Sequence, residues 1–439
     1  MDFFGSGGET PLLALLTGYL NMMAEAVRRM EKVCGLRRWD NGSGMALGVY
    51  ISVPFCRTKC SYCNFASDVF SRAVFERYVD RVCADIENAP QVATEIGGRM
   101  ERAVDSIYLG GGTPTVLEPA QLERIFATVR SQFDVSTEVE VTVECAPGTL
   151  TPAMLESLLR CGVNRVSLGV QSFVDREAAA VGRLHKHATV LGDIVQLRAA
   201  GITDINIDLI AGLPHQTPES WEFSVAETIA TGAPHVSVYM LEVDEDSRLG
   251  SELLAGGARY HAHFVPDEEA VADFYLAACE RLEAAGIVQY EISNFAREGC
   301  ESRHNLKYWT RRPYFGFGVD AHSMLASAAA EMEAVRFAPS DSLEKYMSGP
   351  SLQRTVVSRQ SGLEESFFLG LRLTRGVSLR ELSKKFGEDA LLDARTAISE
   401  LVKDGLVEQK DGLVCLTPRG RLLSNEVFER FIVADKVTP

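Results

Sequence analysis

Three cysteines raise the first chemical question. Cys56-Arg57-Thr58-Lys59-Cys60-Ser61-Tyr62-Cys63 spaces three thiols as C-x-x-x-C-x-x-C, directly after the β-rich run Gly48-Val49-Tyr50-Ile51-Ser52-Val53. Three thiolates on one loop can hold three irons of a [4Fe–4S] cube and leave the fourth iron open. A structural zinc site is the competing chemistry. Zinc asks for a closed set of four ligands, and Asn64 and Phe65 follow where a fourth Cys or His would be wanted. The remaining cysteines, Cys34, Cys83, Cys145, Cys161, Cys279, Cys300 and Cys415, are isolated and read as small apolar residues. Of these, only Cys145, beside Glu144, is expected near a pocket.

A second set of residues recurs down the chain at the ends of predicted strands. Gly110-Gly111-Gly112-Thr113-Pro114-Thr115 ends one of them, and residues without Cβ let backbone amides approach a ligand closely. Alone, such a loop is equally a tight turn or a phosphate cradle. Glu144, Gln171, Arg183, Asp208 and Glu242 follow at successive positions of the same kind. An arginine fork can neutralise a carboxylate, while acids and an amide can hold hydroxyl and amino hydrogens. Taken singly, each would be a surface ion pair or a helix cap.

With Tyr50-Ile51-Ser52-Val53-Pro54-Phe55-Cys56 leading into the thiol loop, the chain resembles the radical S-adenosylmethionine (SAM) superfamily. Within it, the likeness is to the oxygen-independent coproporphyrinogen oxidase and haem chaperone branch, and it leaves out only residues 1–44 and the last few. The resemblance implies a [4Fe–4S] cluster on Cys56, Cys60 and Cys63, with SAM chelating the open iron for one-electron cleavage. It implies that Gly110, Gly111, Gly112 and Thr113 receive the methionine amino end, and that Tyr50, Glu144, Gln171, Arg183 and Asp208 bind the same cofactor. The oxidases resemble C-x-x-x-C-x-x-C-x-C; here Phe65 takes the extra position, an aromatic as in the chaperones. The chaperone signature His-Asn-x-x-Tyr-Trp is matched by His304-Asn305-Leu306-Lys307-Tyr308-Trp309.

Haem is therefore the third implied cofactor, and a haem-acceptor protein the implied partner. Two other functions stay open. One is a radical enzyme acting on coproporphyrinogen III or another tetrapyrrole, or a radical methyltransferase, which would need an electron donor such as a flavodoxin or ferredoxin. The other is a regulatory winged-helix protein. His304 is expected on an exposed loop, as a haem-iron ligand or as a structural histidine, with Tyr308 and Trp309 as a flat wall and Arg303, Arg311 and Arg312 available to propionates. His322 is the next candidate. Where the family often has Gly-Pro-Gly-Ala-His-Ser, the chain reads Gly318-Val319-Asp320-Ala321-His322-Ser323, so a buried or pocket-facing Asp320 is expected.

The elements that must position these residues follow from periodicity. Short β-type runs near 47–53, 104–109, 138–145, 164–170, 203–210 and 235–242 alternate with helical patterns. The fold class is thus α/β, a partial (β/α)6 TIM-like barrel with its site at the carboxyl ends of the strands. Residues 1–44 read as an N-terminal extension, or as sequence upstream of a true start at Met45, and 45–285 as the partial barrel. Residues 286–350 carry the signature and a connecting segment from 326, and 351–439 a winged-helix-like domain with a hairpin at Lys410-Asp411-Gly412. A packing role is preferred for that domain over DNA binding. Net charge is −16, which speaks against a nucleic-acid surface. A mean hydropathy near zero suits a globular chain without a transmembrane segment. Ten cysteines without paired spacing, and Asp2 and Glu9 where an export signal needs positive charge, point to a reducing cytoplasm.

Overall fold

Runs with apolar residues at alternate positions become strands, and those at the centre of the sheet are buried on both faces. In chain order these are β1 (Leu47–Val53), β2 (Gly98–Arg99), β3 (Ala103–Gly111), β4 (Asp134–Cys145), β5 (Arg165–Gln171), β6 (Asp204–Ala211) and β7 (His235–Met240). Then follow β8 (Val288–Glu291), β9 (Asn294–Ala296), β10 (Tyr314–Phe317), β11 (Ser323–Ser327), β12 (Met332–Pro339) and β13 (Leu352–Ser358). The computed structural model describes residues 46–245, 247–349 and 351–432, so the expectations for residues 1–44 and for a start at Met45 lie outside the described residues.

Leu47, Val49, Ile51 and Val53 of β1 are 0% exposed and belong to the main apolar core, together with the alternate residues of β3 to β7. Each such side chain contributes roughly 1.5–3 kcal/mol by leaving water. The helices that cover this face begin at clear caps. Thr151, Thr217 and Asp267 accept from backbone N–H groups at the starts of α1 (Pro152–Arg160), α2 (Pro218–Ala230) and α3 (Glu268–Ala284). A Pro at the first turn of α1 and of α2 is preset for that geometry.

The strands assemble into one sheet in the order β13-β12-β11-β10-β1-β3-β4-β5-β6-β7-β9-β8, with β2 beside β11. Six parallel strands are expected and all six form, but the parallel set is extended. Strand β10 pairs parallel to β1, Gly48 opposite Tyr314, so the segment after 286 supplies a further parallel strand. Residues 326–350 are likewise not a connector. Strands β11 and β12 pair antiparallel, β12 pairs with β13, and a helix spans Leu343–Ser348; in β12 the consecutive pairs Ala334-Val335 and Phe337-Ala338 are buried, so both faces of the strand are covered.

Beyond β13, a second core of Leu363, Phe367, Leu371, Leu391, Ile398 and Leu401 gathers around α4 (Arg359–Phe368) and α5 (Leu392–Lys403) with Ile292. It includes a three-stranded sheet of β14 (Val377–Ser378), β15 (Val407–Lys410) and β16 (Leu413–Leu416), the wing expected from the Asp411-Gly412 turn. This region is fastened to the larger sheet by Arg311 and Arg336, which flank Glu365 at 2.9 and 3.0 Å, and by Ile292 N–H donating to the Arg372 carbonyl. Among the described residues, no helix is long and apolar enough to cross a membrane.

Candidate functional site

The thiol loop leaves β1 and folds back at once: Cys56 N–H donates to the Asp68 carbonyl and Asp68 N–H to that of Pro54. Across the loop, Thr58 Oγ1 donates to the Gly182 carbonyl at 2.9 Å and Lys59 Nζ to that of Ser67 at 2.8 Å. Polar groups stand beside each sulfur: Thr113 Oγ1 is 3.8 Å from Cys56, Arg183 Nη1 3.8 Å from Cys60 and Ser67 Oγ 3.9 Å from Cys63. Burial pushes the Cys56 thiol up, with the Thr113 and Ser67 hydroxyls opposing it. Among the described residues, no three His, Cys, Asp or Glu side chains converge on a point that would hold a single ion. Three thiols on one loop, with Asn64 and Phe65 where a fourth ligand would follow, suit a cube with an open iron better than a closed zinc site. Phe65 is 64% exposed.

Beside the loop, the inward face of the strands forms a polar pocket. Glu144 accepts from Tyr108 OH at 2.9 Å and from Gly111 N–H at 3.1 Å. Its carboxylate lies deep beneath neighbouring atoms although the residue still shows surface to the pocket; burial, and then the Asp208 carboxylate, push it up to about 7. Asp208 accepts from Asn206 Nδ2 at 2.7 Å and Ser167 Oγ at 3.0 Å, and burial raises it as well. The glycines are required by space. A Cβ on Gly112 would stand 2.7 Å from the Val53 carbonyl oxygen, and one on Gly110 2.7 Å from Glu144 Oε1.

Gln171 is held at φ 67, a left-handed conformation that only a surrounding structure can impose on a non-glycine residue. Its Oε1 and the Arg183 Nε are buried without a hydrogen-bond partner in the protein. Buried polar atoms are normally paired, so this pair fits a pocket built for a polar ligand. Tyr50 stacks on Tyr108, ring centroids 6.1 Å apart. The structure therefore brings Tyr50, Gly110, Gly111, Gly112, Thr113, Glu144, Gln171, Arg183 and Asp208 to one end of the strands with the three cysteines. Cys145 is the exception among neighbours: alternation turns it to the opposite face, into the apolar core. Tyr108, Ser167 and Asn206 also shape the pocket, and counting back by twos from Gly110, Gly169 and Asp208 would have found them.

The signature segment differs from expectation. It is a short helix, hereafter the signature helix (Arg303–Trp309), lying in the sequence between α3 and α4, with His304 buried at 1% exposure rather than on an exposed loop. Both ring nitrogens are engaged: Nδ1 lies 3.1 Å from Ser106 Oγ and Nε2 2.9 Å from Tyr308 OH. Burial, and then Lys307, drive the imidazole down to about 3, so it is neutral. The helix enters the polar interior at the amino ends of the strands because Glu140 accepts from the backbone N–H groups of Arg303 (2.8 Å) and His304 (3.1 Å). Lys307 closes it with an ion pair to Asp105 at 2.6 Å. Two of the three arginines expected at propionates are committed elsewhere, Arg303 Nη1 to the Glu138 carbonyl and Arg311 to Glu365. Asp320 is not buried: its side chain is 43% exposed, 3.7 Å from His322, and its φ of 55 is a conformation Asp tolerates where glycine is usual.

Comparison with known proteins agrees with this arrangement. Residues 50–226 match the radical SAM superfamily and residues 357–423 the HemN C-terminal domain. Heme chaperone HemW of Bacillus subtilis (strain 168) is 34% identical over 387 residues, covering 87% of this chain and 98% of that protein. Heme chaperone HemW of Escherichia coli (strain K12) is 29% identical over 392 residues, covering 88% and 98%. Among solved structures, coproporphyrinogen III oxidase (HemN) from Escherichia coli, a radical SAM enzyme, superimposes with a TM-score of 0.75 at 24% identity, over 88% of this chain and 90% of that one. That likeness establishes the TIM-like radical SAM fold. From the fold, the two matched regions and the relatives together, the chain belongs to the HemW-type family of radical SAM proteins.

Proposed function

We propose that this chain is a haem chaperone that carries a [4Fe–4S] cluster and SAM and passes haem to an acceptor protein. The observation that carries the cofactor half is the meeting of three thiols with a pocket in which Gln171 Oε1 and Arg183 Nε are buried and unpaired. Cys56, Cys60 and Cys63 would hold the cluster; when bound, cluster and SAM supply one-electron chemistry. Arg183, one nitrogen already against Cys60 Sγ, is placed to meet the methionine carboxylate, and the Gly110–Thr113 loop its amino group. Glu144 and Asp208, each fixed by neighbouring donors, present carboxylates to hydroxyl and amino hydrogens.

The haem half rests on the family, on Phe65 standing outside the thiol set, and on the aromatic flank of the signature helix. Tyr308 meets Tyr314 edge-on at 4.6 Å, and Trp309 lies under the Arg372 guanidinium at 4.3 Å. A porphyrin is accommodated along such a wall. His304 becomes an iron ligand only when Tyr308 releases Nε2, so ligation and movement of Tyr308 are one event. A second reading, a radical enzyme acting on a tetrapyrrole with a flavodoxin or ferredoxin as donor, is favoured by the completeness of the pocket. One anaerobic experiment decides between them: reconstitute the cluster, then follow 5′-deoxyadenosine and protoporphyrinogen alongside a haem titration. Stoichiometric haem binding without porphyrinogen turnover is expected. Enzyme-like product formation overturns the chaperone reading. His304→Ala is expected to weaken haem binding and shift the Soret band while sparing the cluster; an unaltered spectrum moves the ligand, with His322 next.

A further inference from the structure

We propose that His235 and Asn206 are positioning residues: they aim the Asp208 carboxylate into the cofactor pocket and, through Tyr290 and Ser302, tie it to the signature helix. The inference rests on the reading that Asp208 faces SAM and that haem binds at that helix. Asn206 and His235 sit opposite each other on β6 and β7, at 3% and 0% exposure.

The hydrogen bonds give this cluster a direction. Asn206 Nδ2 donates to Asp208 Oδ1 at 2.7 Å, while Asn206 Oδ1 lies 2.6 Å from His235 Nδ1. A carbonyl oxygen only accepts, so His235 carries its proton on Nδ1. Burial drives His235 well below the usual histidine range, so the ring is neutral and Nε2 accepts from Tyr290 OH at 2.9 Å. The Tyr290 oxygen in turn accepts the backbone N–H of Ser302, the residue that caps the signature helix, at 3.3 Å.

The Asn206 amide thereby has one permitted orientation. Without the His235 donor it can rotate and set its own oxygen against the Asp208 carboxylate, and a buried repulsive contact of that kind unseats the acid. A second branch reaches the other end of the helix. Ser237 Oγ donates to Asn294 Oδ1 at 2.8 Å, Asn294 Nδ2 donates to Glu291, and Arg372 bridges Glu291 Oε2 at 3.4 Å to the Trp309 ring. Both ends of the signature helix are thus joined to the strands that carry Asp208, and a ligand that alters the setting of one must act on the other.

The test uses the full chain with its cluster reconstituted, measuring SAM affinity with and without haem and haem affinity with and without SAM. In the parent protein, each ligand is expected to change the other's Kd by the same factor, about 5-fold or more. His235→Phe is expected to raise the SAM Kd about 10-fold or more and to bring the mutual factor close to one, with iron content unchanged. His235→Gln, whose amide can donate to Asn206, is expected to restore most of the SAM affinity. Tyr290→Phe keeps the His235 donor and breaks the link to Ser302, so SAM affinity should hold while the factor falls; a protein that merely needed these side chains to fold would not separate the two readouts. Should His235→Phe be insoluble, Tyr290→Phe and Ser237→Ala carry the test. SAM and haem binding independently in the parent protein, His235→Phe binding SAM normally, or Tyr290→Phe keeping the full factor would each overturn the inference while leaving the proposed function standing. Absence of SAM or haem binding in the parent protein would remove both.

Discussion

The two ends of the same strands are finished in opposite ways. At the carboxyl ends, glycines strip away side chains, Gln171 is held in a left-handed conformation, and Gln171 Oε1 and Arg183 Nε are buried without a protein partner. At the amino ends, the side chains are spent on one another: Glu140 on the Arg303 and His304 backbone, Lys307 on Asp105 and the Ala46 carbonyl, His304 on Ser106 and Tyr308. The difference teaches what each end is for. Polar groups left bare beneath a surface are tolerated where a ligand comes and goes, whereas a permanently inserted helix gives the groups named here lasting partners.

The sharpest break between the ends is metal content. Cys60→Ala is expected to abolish the four-iron chromophore after reconstitution, and Cys56→Ala and Cys63→Ala to do the same, whereas Cys279→Ala or Cys415→Ala should leave it intact. Iron and sulfide analysis with the visible spectrum reads the outcome. A full four-iron content in the Cys60 variant would contradict the ligand set.

Next in size is an effect confined to the amino ends. Glu140, 8% exposed, supplements the Ser302 cap of the signature helix, and Glu140→Ala leaves two backbone donors without an acceptor. A destabilisation of about 2–4 kcal/mol is expected from denaturant unfolding. Iron content in the folded fraction should match the parent protein; joint loss of both would show that the ends are not separable.

A smaller effect belongs to the pocket alone. Gly110→Ala places a methyl 2.7 Å from Glu144 Oε1, so the carboxylate must move. SAM affinity is expected to fall about 10-fold, roughly the worth of one misdirected charge-assisted hydrogen bond, with the unfolding midpoint little changed. An equal loss of stability and affinity would mean that the glycine serves packing.

How much of this was legible beforehand differs between the ends for the same reason. Thiol spacing and strand alternation are local signals, so the cysteine loop, the six strands and the residues at their carboxyl ends stand out from sequence. Tyr108, Ser167 and Asn206 stand two residues before Gly110, Gly169 and Asp208, so alternation puts them on the same inward face, but their hydrogen bonds to Glu144 and Asp208 leave no mark in the sequence. His304 is misplaced by local reading because a polar helix normally lies on a surface; here the interior it enters is itself polar, a property of the assembled barrel. The strands within 326–350 are obscured by the small residues Ala328-Ala329-Ala330, whose turn hides the antiparallel partners on either side.

The mildest test concerns the charge on Glu144. Its carboxyl, raised to about 7 by burial and by Asp208, is more easily protonated folded than unfolded. In the protein without SAM, its contribution to stability is therefore present below the ordinary glutamate value of about 4.3 and lost as pH rises through about 7. SAM reverses the preference, because hydroxyl and amino donors and a sulfonium charge favour the ionised carboxylate. Binding thus releases a proton near neutrality, and SAM affinity is expected to rise about tenfold between pH 6 and pH 8. Glu144→Gln, neutral throughout, should bind more weakly at pH 8 and show a flat profile, while Glu140→Ala at the other end of the strands should keep the slope. A parent profile as flat as that of the Gln variant would mean that Glu144 titrates outside this range, and the pocket would lose an electrostatic feature that sets it apart from the amino ends of the strands.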